Sequence, residues 1–247
     1  MPATPAWPPK SLTRLFVRHP LTDGAQIDLD PRQANYLGNV MRLRQGDELL
    51  LFDGQSGEWL AHVAAADRKK MALTVERKIR GPESVPDVWL AFAPVKRTQT
   101  DWLIEKATEL GTARLVPIVT QRTIVDRVRV DRLEAIAIEA AEQCGRTRLP
   151  EIAGPMPLKQ FLDNRDPRRT LYFADETGGE PAARAFRPGS AVILTGPEGG
   201  FTSEERTSIR AAPGAVPISL GPRILRAETA ALAALAAYMA VAGDWRP

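Results

Sequence analysis

A single cysteine, Cys144, in 247 residues excludes an internal disulfide and any cysteine-rich zinc site. Histidine is almost as scarce. His19 and His62 stand apart, and neither has a metal-ligating neighbour at local spacing, so no metal is expected. Long apolar runs are missing as well: the most apolar stretch, Ala227–Ala242, is about sixteen residues and is interrupted by Glu228, too little for a membrane span. The opening MPATPAWPPK has no signal-peptide core and reads as a disordered lead-in over residues 1–12. Phosphate-loop fingerprints are absent too. The glycine-rich GPEGG at Gly196–Gly200 is followed by Phe201 and Thr202 where a Walker loop needs Lys-Ser/Thr, and the G-x-G-x-x-G spacing is not found there. These absences lead to the expectation of a cytoplasmic protein with no metal and no membrane contact.

Charge is present but nearly balanced. The formal net charge of +3 lies wholly in the first third, where residues 1–80 carry 12 Lys/Arg against 9 Asp/Glu, while the remainder carries 21 of each. Such an excess is compatible with a nucleic-acid partner without requiring one.

Patterning divides the chain in two. Residues 13–80 read as short strands (Arg14–Pro20, Ala25–Leu29, then ELLLFDG, EWLAHVAAA and MALTVERKI) with one helix from Asp30-Pro31, an N-cap followed by proline at the first helical position, through Met41. This suits a small β-barrel. The Gly/Pro-bearing stretch 81–87 reads as a linker. From residue 88 to 247, strands alternate with helices: VWLAFAPV, a helix Thr98–Leu110, ARLVPIV, a helix Val130–Cys144, TLYFAD, AVILTG, a helix Thr202–Ala211, AVPISLG, and a helix Arg226–Val241. That alternation predicts βαβ units and a mostly parallel α/β sheet. Thr202 and Glu205 carry the capping-box spacing.

Two segments stand out, LTGPEGGFTSEE (Leu194–Glu205) and ISLGPRILRAETAALAAL (Ile218–Leu235). Each leaves a buried strand, bends through glycine and proline, and enters a helix. In open α/β sheets ligands bind outside the carboxyl ends of strands, where such bends let the backbone approach closely. Alone, GPEGG is equally a tight strand-to-helix connection with no ligand. Glu228 in the second segment suits a helix N-terminus on charge alone. Arg226 does not, because cations are disfavoured there, and with Arg223 it places two guanidinium groups at one bend, fit for a phosphate or an electron-rich base.

Here the chain resembles a known family. LTGPEGGFTSEE with SLGPRILRAETA is similar to the paired C-terminal signatures of the RsmE-type ribosomal RNA methyltransferases of the SPOUT superfamily. RLFV (Arg14–Val17) and YLGNVMRLRQGDELLLFDG (Tyr36–Gly54) resemble its N-terminal domain, and KRTQTDWLIEKATELG (Lys96–Gly111) with LVPIVTQRT (Leu115–Thr123) its central block. EAAEQCGRTRLPEI (Glu139–Ile152) resembles a further block, with Cys144 where serine is usual. The likeness runs in order from about residue 14 to 242.

The resemblance implies a PUA-like β-barrel and a SPOUT α/β domain with a deep trefoil knot. It implies S-adenosylmethionine as methyl donor, N3 of a uridine in 16S ribosomal RNA (position 1498 in the usual rRNA numbering) on the small ribosomal subunit as substrate, and a homodimer. By that resemblance the donor would meet Ala174, Asp175 and Glu176; Leu194, Thr195, Gly196, Pro197, Glu198, Gly199 and Gly200; and Ile218, Ser219, Leu220, Gly221, Ile224, Leu225, Arg226, Thr229 and Ala230. Methyl transfer to a ring nitrogen that must first lose its proton needs alignment and a group that stabilises the anionic base. Arg226 is the candidate for that charge, and Glu228, ahead of Glu198, for the proton acceptor, although either carboxylate could equally cap backbone amides or hold Arg226. Candidate RNA contacts are Arg14, Arg18, Arg42, Arg44, Lys69 and Lys70 in the first part, and Arg122, Arg127, Arg129, Arg146 and Arg148 in the second. The sequence leaves two other readings open: methylation of a ribose hydroxyl, and RNA binding without catalysis.

Overall fold

A computed structural model describes residues 12–67, 70–125 and 127–246; the first eleven residues of the expected lead-in, and Lys69, lie outside the described residues. The chain forms two compact units, residues 1–84 with 141–148, and residues 85–140 with 149–247. A linear reading could not assign 141–148 to the first unit, because only long-range contacts do so.

The first unit holds strands β1 (Arg14–Phe16), β2 (Gln26–Asp28), β3 (Glu48–Phe52), β4 (Glu58–Ala66) and β5 (Met71–Arg80). They form one sheet in the order β1-β3-β4-β5-β2, antiparallel except for the β1–β3 pair. Alternate residues of every strand (Leu15, Ile27, Leu49 and Leu51, Ala61 and Val63, Leu73 and Val75) enter a single core, so the sheet curls about it. Three register shifts between β4 and β5 permit that curvature.

The expected helix after Asp30 begins as read. The Asp30 carboxylate accepts from the amides of Arg32 and Gln33, and Pro31 opens α1 (Pro31–Asn35). It does not continue as an α-helix to Met41. It widens into a π-helical turn, Tyr36–Val40, which keeps Leu37 fully buried and turns Val40 and Met41 outward. Arg42 follows at φ +60°, the one non-glycine residue among those described with a positive φ.

The second unit is a parallel sheet. Its strands are β6 (Val88–Phe92), β7 (Arg114–Val119), β8 (Glu151–Ile152), β9 (Met156–Pro157), β10 (Thr170–Ala174), β11 (Glu180–Pro181), β12 (Ala191–Thr195) and β13 (Ala215–Ser219). The order is β11-β13-β10-β12-β6-β7-β8, with β9 pairing β7 beyond β8. Helices α2 (Arg97–Glu109), α3 (Val130–Cys144), α4 (Leu158–Asn164), α5 (Ala182–Ala185) and α6 (Ser203–Ala211) lie between them in the chain, and α7 (Ala227–Val241) follows the last strand. Alternation along each strand feeds two cores. Leu90, Phe92, Tyr172, Ala191 and Ile193 pack with α2 and α7 on one face; Ala91, Leu171, Phe173, Val192 and Leu194 pack with Phe161 of α4 and Ile209 of α6 on the other. Both faces are covered, which is why these strands read as continuous apolar runs. Helices α4 and α5 and the two-residue strands carry too short a pattern to be read from sequence.

Candidate active site

Three adjacent strands end level with one another: Phe173 of β10 pairs Leu194 of β12, and Ala174 pairs Ile218 of β13. Because all run parallel, the segments that follow emerge on one edge and wall a single cavity of about 370 Å³. Ala174, Asp175 and Glu176 line it from the first strand, Thr195, Gly196, Pro197, Glu198 and Gly200 from the second, and Ile218 to Arg226 from the third. The sequence placed these loops together on resemblance; the sheet order supplies the physical reason.

The loop after β12 is a tight turn, with the Gly200 amide donating to the Pro197 carbonyl at 2.8 Å. Gly200 is at φ +68°, so the backbone favours glycine, and a Cβ there would also push aside the Glu176 carboxylate, whose nearer oxygen would lie 2.6 Å away. Behind the turn, α6 starts with its capping box complete: the Thr202 hydroxyl accepts from the Glu205 amide and the Glu205 carboxylate from the Thr202 amide.

Asp175 is the buried anchor of the first loop. Its carboxylate accepts from the amide and hydroxyl of Thr177 and pairs with Arg210 at 2.6 Å and Arg206 at 3.3 Å. Burial alone would raise this carboxyl, but the Thr177 amide and hydroxyl and the Arg210 guanidinium outweigh it and hold its pKa below the usual carboxylate range. Arg206 also donates to Glu176 at 2.6 Å, which ties the first loop to α6.

The third segment is freer. Arg226 occupies the N-cap of α7 without capping it by its side chain, and it is exposed at the cavity wall with Arg223. Neither side chain has a hydrogen bond or ion pair among the described residues. Glu228 lies in the first turn of α7 but is 7% exposed, does not line the cavity, and leaves Oε2 without a hydrogen-bond partner. Leu194 is buried in the sheet, and Gly199 and Thr229 lie outside the cavity wall. Ile224 lines the cavity edge yet is 100% exposed.

Ala230 of α7 also lines the cavity, and Gly178, Phe201, Arg206 and Ala227, which the sequence does not single out, complete the wall. For Arg206 a signal existed: Arg206 and Arg210 are four apart on a capped helix, one turn of the same face, opposite an acidic pair at Asp175-Glu176.

Residues 82–239 match the model of an RNA methyltransferase domain and residues 29–76 that of an RNA methyltransferase PUA domain. The chain is 36% identical over 222 residues to ribosomal RNA small subunit methyltransferase E of Synechocystis sp., covering 86% of this chain and 72% of that one. The chain belongs to the ribosomal RNA small subunit methyltransferase E family. The Rickettsia conorii member is 29% identical over 229 residues, covering 90% of this chain and 93% of its own. A member from Neisseria gonorrhoeae, solved bound to S-adenosyl methionine, superposes with a TM-score of 0.87 at 28% identity over 95% of this chain and all of that one. A Legionella pneumophila methyltransferase solved with bound SAM gives 0.87 at 30%, with the same coverage. As a member of this family the chain is a ribosomal RNA methyltransferase.

The arginines and lysines expected to meet RNA fall into distinct settings. In the first unit, Arg14 is turned inward: it donates to the carbonyls of Ala141 (2.5 Å), Glu142 (2.9 Å) and Arg146 (2.7 Å) and to Glu58 (2.6 Å). Arg146 is 5% exposed and faces Glu83. Arg18 stands over the Phe16 ring, and Arg42, Arg44, Lys70 and Arg148 are exposed. In the second unit Arg129 pairs with Asp131, Arg127 is exposed, and Arg122 donates to the carbonyl of Gly199. Among the described residues no group of three or more His, Cys, Asp or Glu could hold a metal, and no helix is long and apolar enough to cross a membrane.

Proposed function

We propose that this family member transfers a methyl group from S-adenosylmethionine to N3 of a uridine in 16S ribosomal RNA, on the assembled small subunit in the cytoplasm. The observation that carries the reading is the convergence of three strand-end loops on one cavity of about 370 Å³, with Arg226 unpaired at its wall. The cavity suits the donor in chemistry as well as size. Its lining includes glycine-rich backbone able to lie against a flat heterocycle, and the exposed Glu198 carboxylate at its wall suits a cationic ligand. The donor would lie among Thr195–Gly200, Ile218–Leu225 and Ala174–Glu176, and when bound it supplies an electrophilic methyl on sulfonium.

This chain's residues supply the rest. Arg226 balances the charge of a uracil that has lost its N3 proton and orients the base by its planar fork. Glu198, exposed at the wall, is better placed to receive that proton than Glu228, whose carboxylate is buried outside the cavity. A homodimer is supported by the outward face of α7, where Thr229, Ala233, Ala236 and Ala240 form a strip of small residues, and by the unpartnered Glu228 oxygen. We also propose the deep trefoil knot of the family's implied fold for residues 88–247.

The reading is tested by treating unmodified 16S RNA, free and in assembled small subunits, with protein and donor, and analysing the nucleosides by mass spectrometry. N3-methyluridine, formed faster on the subunit, is expected. Methylation of a ribose hydroxyl or of another base overturns the assignment.

A further inference from the structure

The sequence offers Arg122 as an RNA contact, yet its position has a different logic. It stands in the turn after β7, and that turn is fastened to α6. The Thr120 amide donates to the Thr123 hydroxyl at 2.9 Å, the two hydroxyls lie 2.9 Å apart, and the Thr123 amide returns to the Thr120 carbonyl. The Gln121 amide then donates to Glu205 at 2.7 Å. Glu205 is buried, and one carboxylate therefore serves both the capping box of α6 and this turn.

So fixed, the turn carries Arg122 across the glycine-rich loop. Its Nη1 donates to the Gly199 carbonyl at 2.6 Å, and its stem covers the Gly199 Cα, where an added Cβ would meet Cδ at 3.3 Å. Gly199 is not in the left-handed region, so space, more than backbone conformation, disfavours a side chain there. Gly199 itself is outside the cavity wall, while its neighbours Glu198 and Gly200 line it. Arg122 thus grips the loop from the side away from the ligand.

We propose that Arg122 is a positioning residue for the methyl donor: it holds the Pro197–Gly200 turn in its binding shape through the Gly199 carbonyl. This inference rests on the donor reading of the cavity given above. A loop held in advance binds its ligand without the entropy cost of ordering at that moment. A charge-assisted hydrogen bond to a carbonyl is of the size that changes affinity about tenfold.

The test is calorimetric binding of S-adenosylmethionine to the full chain without RNA, followed by steady-state kinetics and RNA binding across a salt series. Arg122→Ala is expected to weaken donor binding about tenfold and raise the donor KM while leaving kcat at saturating donor, thermal stability, RNA affinity and its salt slope unchanged. Arg122→Lys, which can still donate to the carbonyl, is expected to recover most of the loss. Gly199→Ala should weaken donor binding in the native chain by displacing the Arg122 stem, and at least about threefold less in the Arg122→Ala background. Unchanged donor affinity in Arg122→Ala overturns the proposal, as do strictly additive effects in the pair. Lost RNA affinity with a shallower salt slope and intact donor binding would make Arg122 a phosphate contact instead. If the native chain binds no donor at all, the donor reading itself fails, a result distinct from the others.

Discussion

The arginines of the first unit's interior and those at the second unit's cavity are the same residue type in opposite conditions. Arg14 is saturated: one carboxylate and three carbonyls take its protons, and Arg80 joins it on the buried Glu58 at 2.8 Å. Burial raises the Glu58 carboxyl, but hydrogen bonds from Arg80 and Arg14 more than reverse that and leave its pKa below the usual range. Arg223 and Arg226 are exposed and have no protein partner among the described residues. A saturated guanidinium holds a fold together, whereas an unsaturated one beside a cavity is available to a ligand. The difference lies in what surrounds each arginine: the place of Arg226 at a helix N-terminus hints at it in the sequence, whereas nothing in the sequence marks Arg14 as buried.

The largest expected effect tests the unsaturated side. Arg226→Ala should slow methyl transfer by about 10³-fold, the upper range for removing a group that stabilises developing charge, while donor binding and thermal stability stay near native. The initial rate of label transfer from donor to 16S RNA measures it. A rate close to native would remove Arg226 from the chemistry, and its lack of a protein partner would then say nothing about ligand binding.

Next comes the saturated side. Arg14→Ala leaves the carbonyls of Ala141, Glu142 and Arg146 without this donor and Glu58 with a single partner. Breaking a buried pair of this kind costs about 3 kcal/mol and should lower Tm by roughly 10 °C. If calorimetry shows an unchanged Tm and RNA binding falls instead, Arg14 belongs with the ligand-facing group.

Much of this arrangement is legible in the sequence, for reasons that differ by region. Long elements with strong period read true: α3 begins and ends at Val130 and Cys144 as expected, and Thr202-Glu205 forms the capping box its spacing announces. The π-helical turn did not, because nothing in Tyr36–Val40 distinguishes a wide turn from an ordinary one until Leu37 must reach the core. At the site, the loops were visible as glycine bends, but their convergence depends on β10, β12 and β13 being neighbours in the sheet. The inward turn of Arg14 and Arg146 depends on residues 141–148 folding with the first unit, a contact more than 120 residues away in sequence for Arg14.

Asp175 is a saturated group inside the unsaturated region, and so refines the contrast. Its pKa is depressed, so its contribution to stability is fully present above the unfolded carboxyl value of about 3.9 and is lost as pH falls through the lower folded value. Asp175→Asn removes the charge that Arg206 and Arg210 share. Its expected cost near neutral pH is about 2 kcal/mol. In urea titrations the native and variant stabilities should converge as pH drops below about 4. Parallel curves would mean that the Thr177 contacts, and not the charge, carry the loop.

Arg42 is the smallest and sharpest case. Its backbone is held at φ +60°, a conformation that costs a side-chain-bearing residue about 1–2 kcal/mol, while its own side chain is exposed. Glycine would relieve that strain but would add freedom to the unfolded chain, so Arg42→Gly should gain about 0.5 kcal/mol at most. We propose that Arg42, with the neighbouring exposed Val40, Met41 and Arg44, belongs to a surface that meets RNA. The variant should therefore be as stable as the native chain or slightly more so. It should bind 16S RNA several-fold more weakly at low salt, with a salt slope about one unit shallower. Greater stability with undiminished RNA binding would separate the strain from recognition and restrict the unsaturated class to the arginines at the cavity.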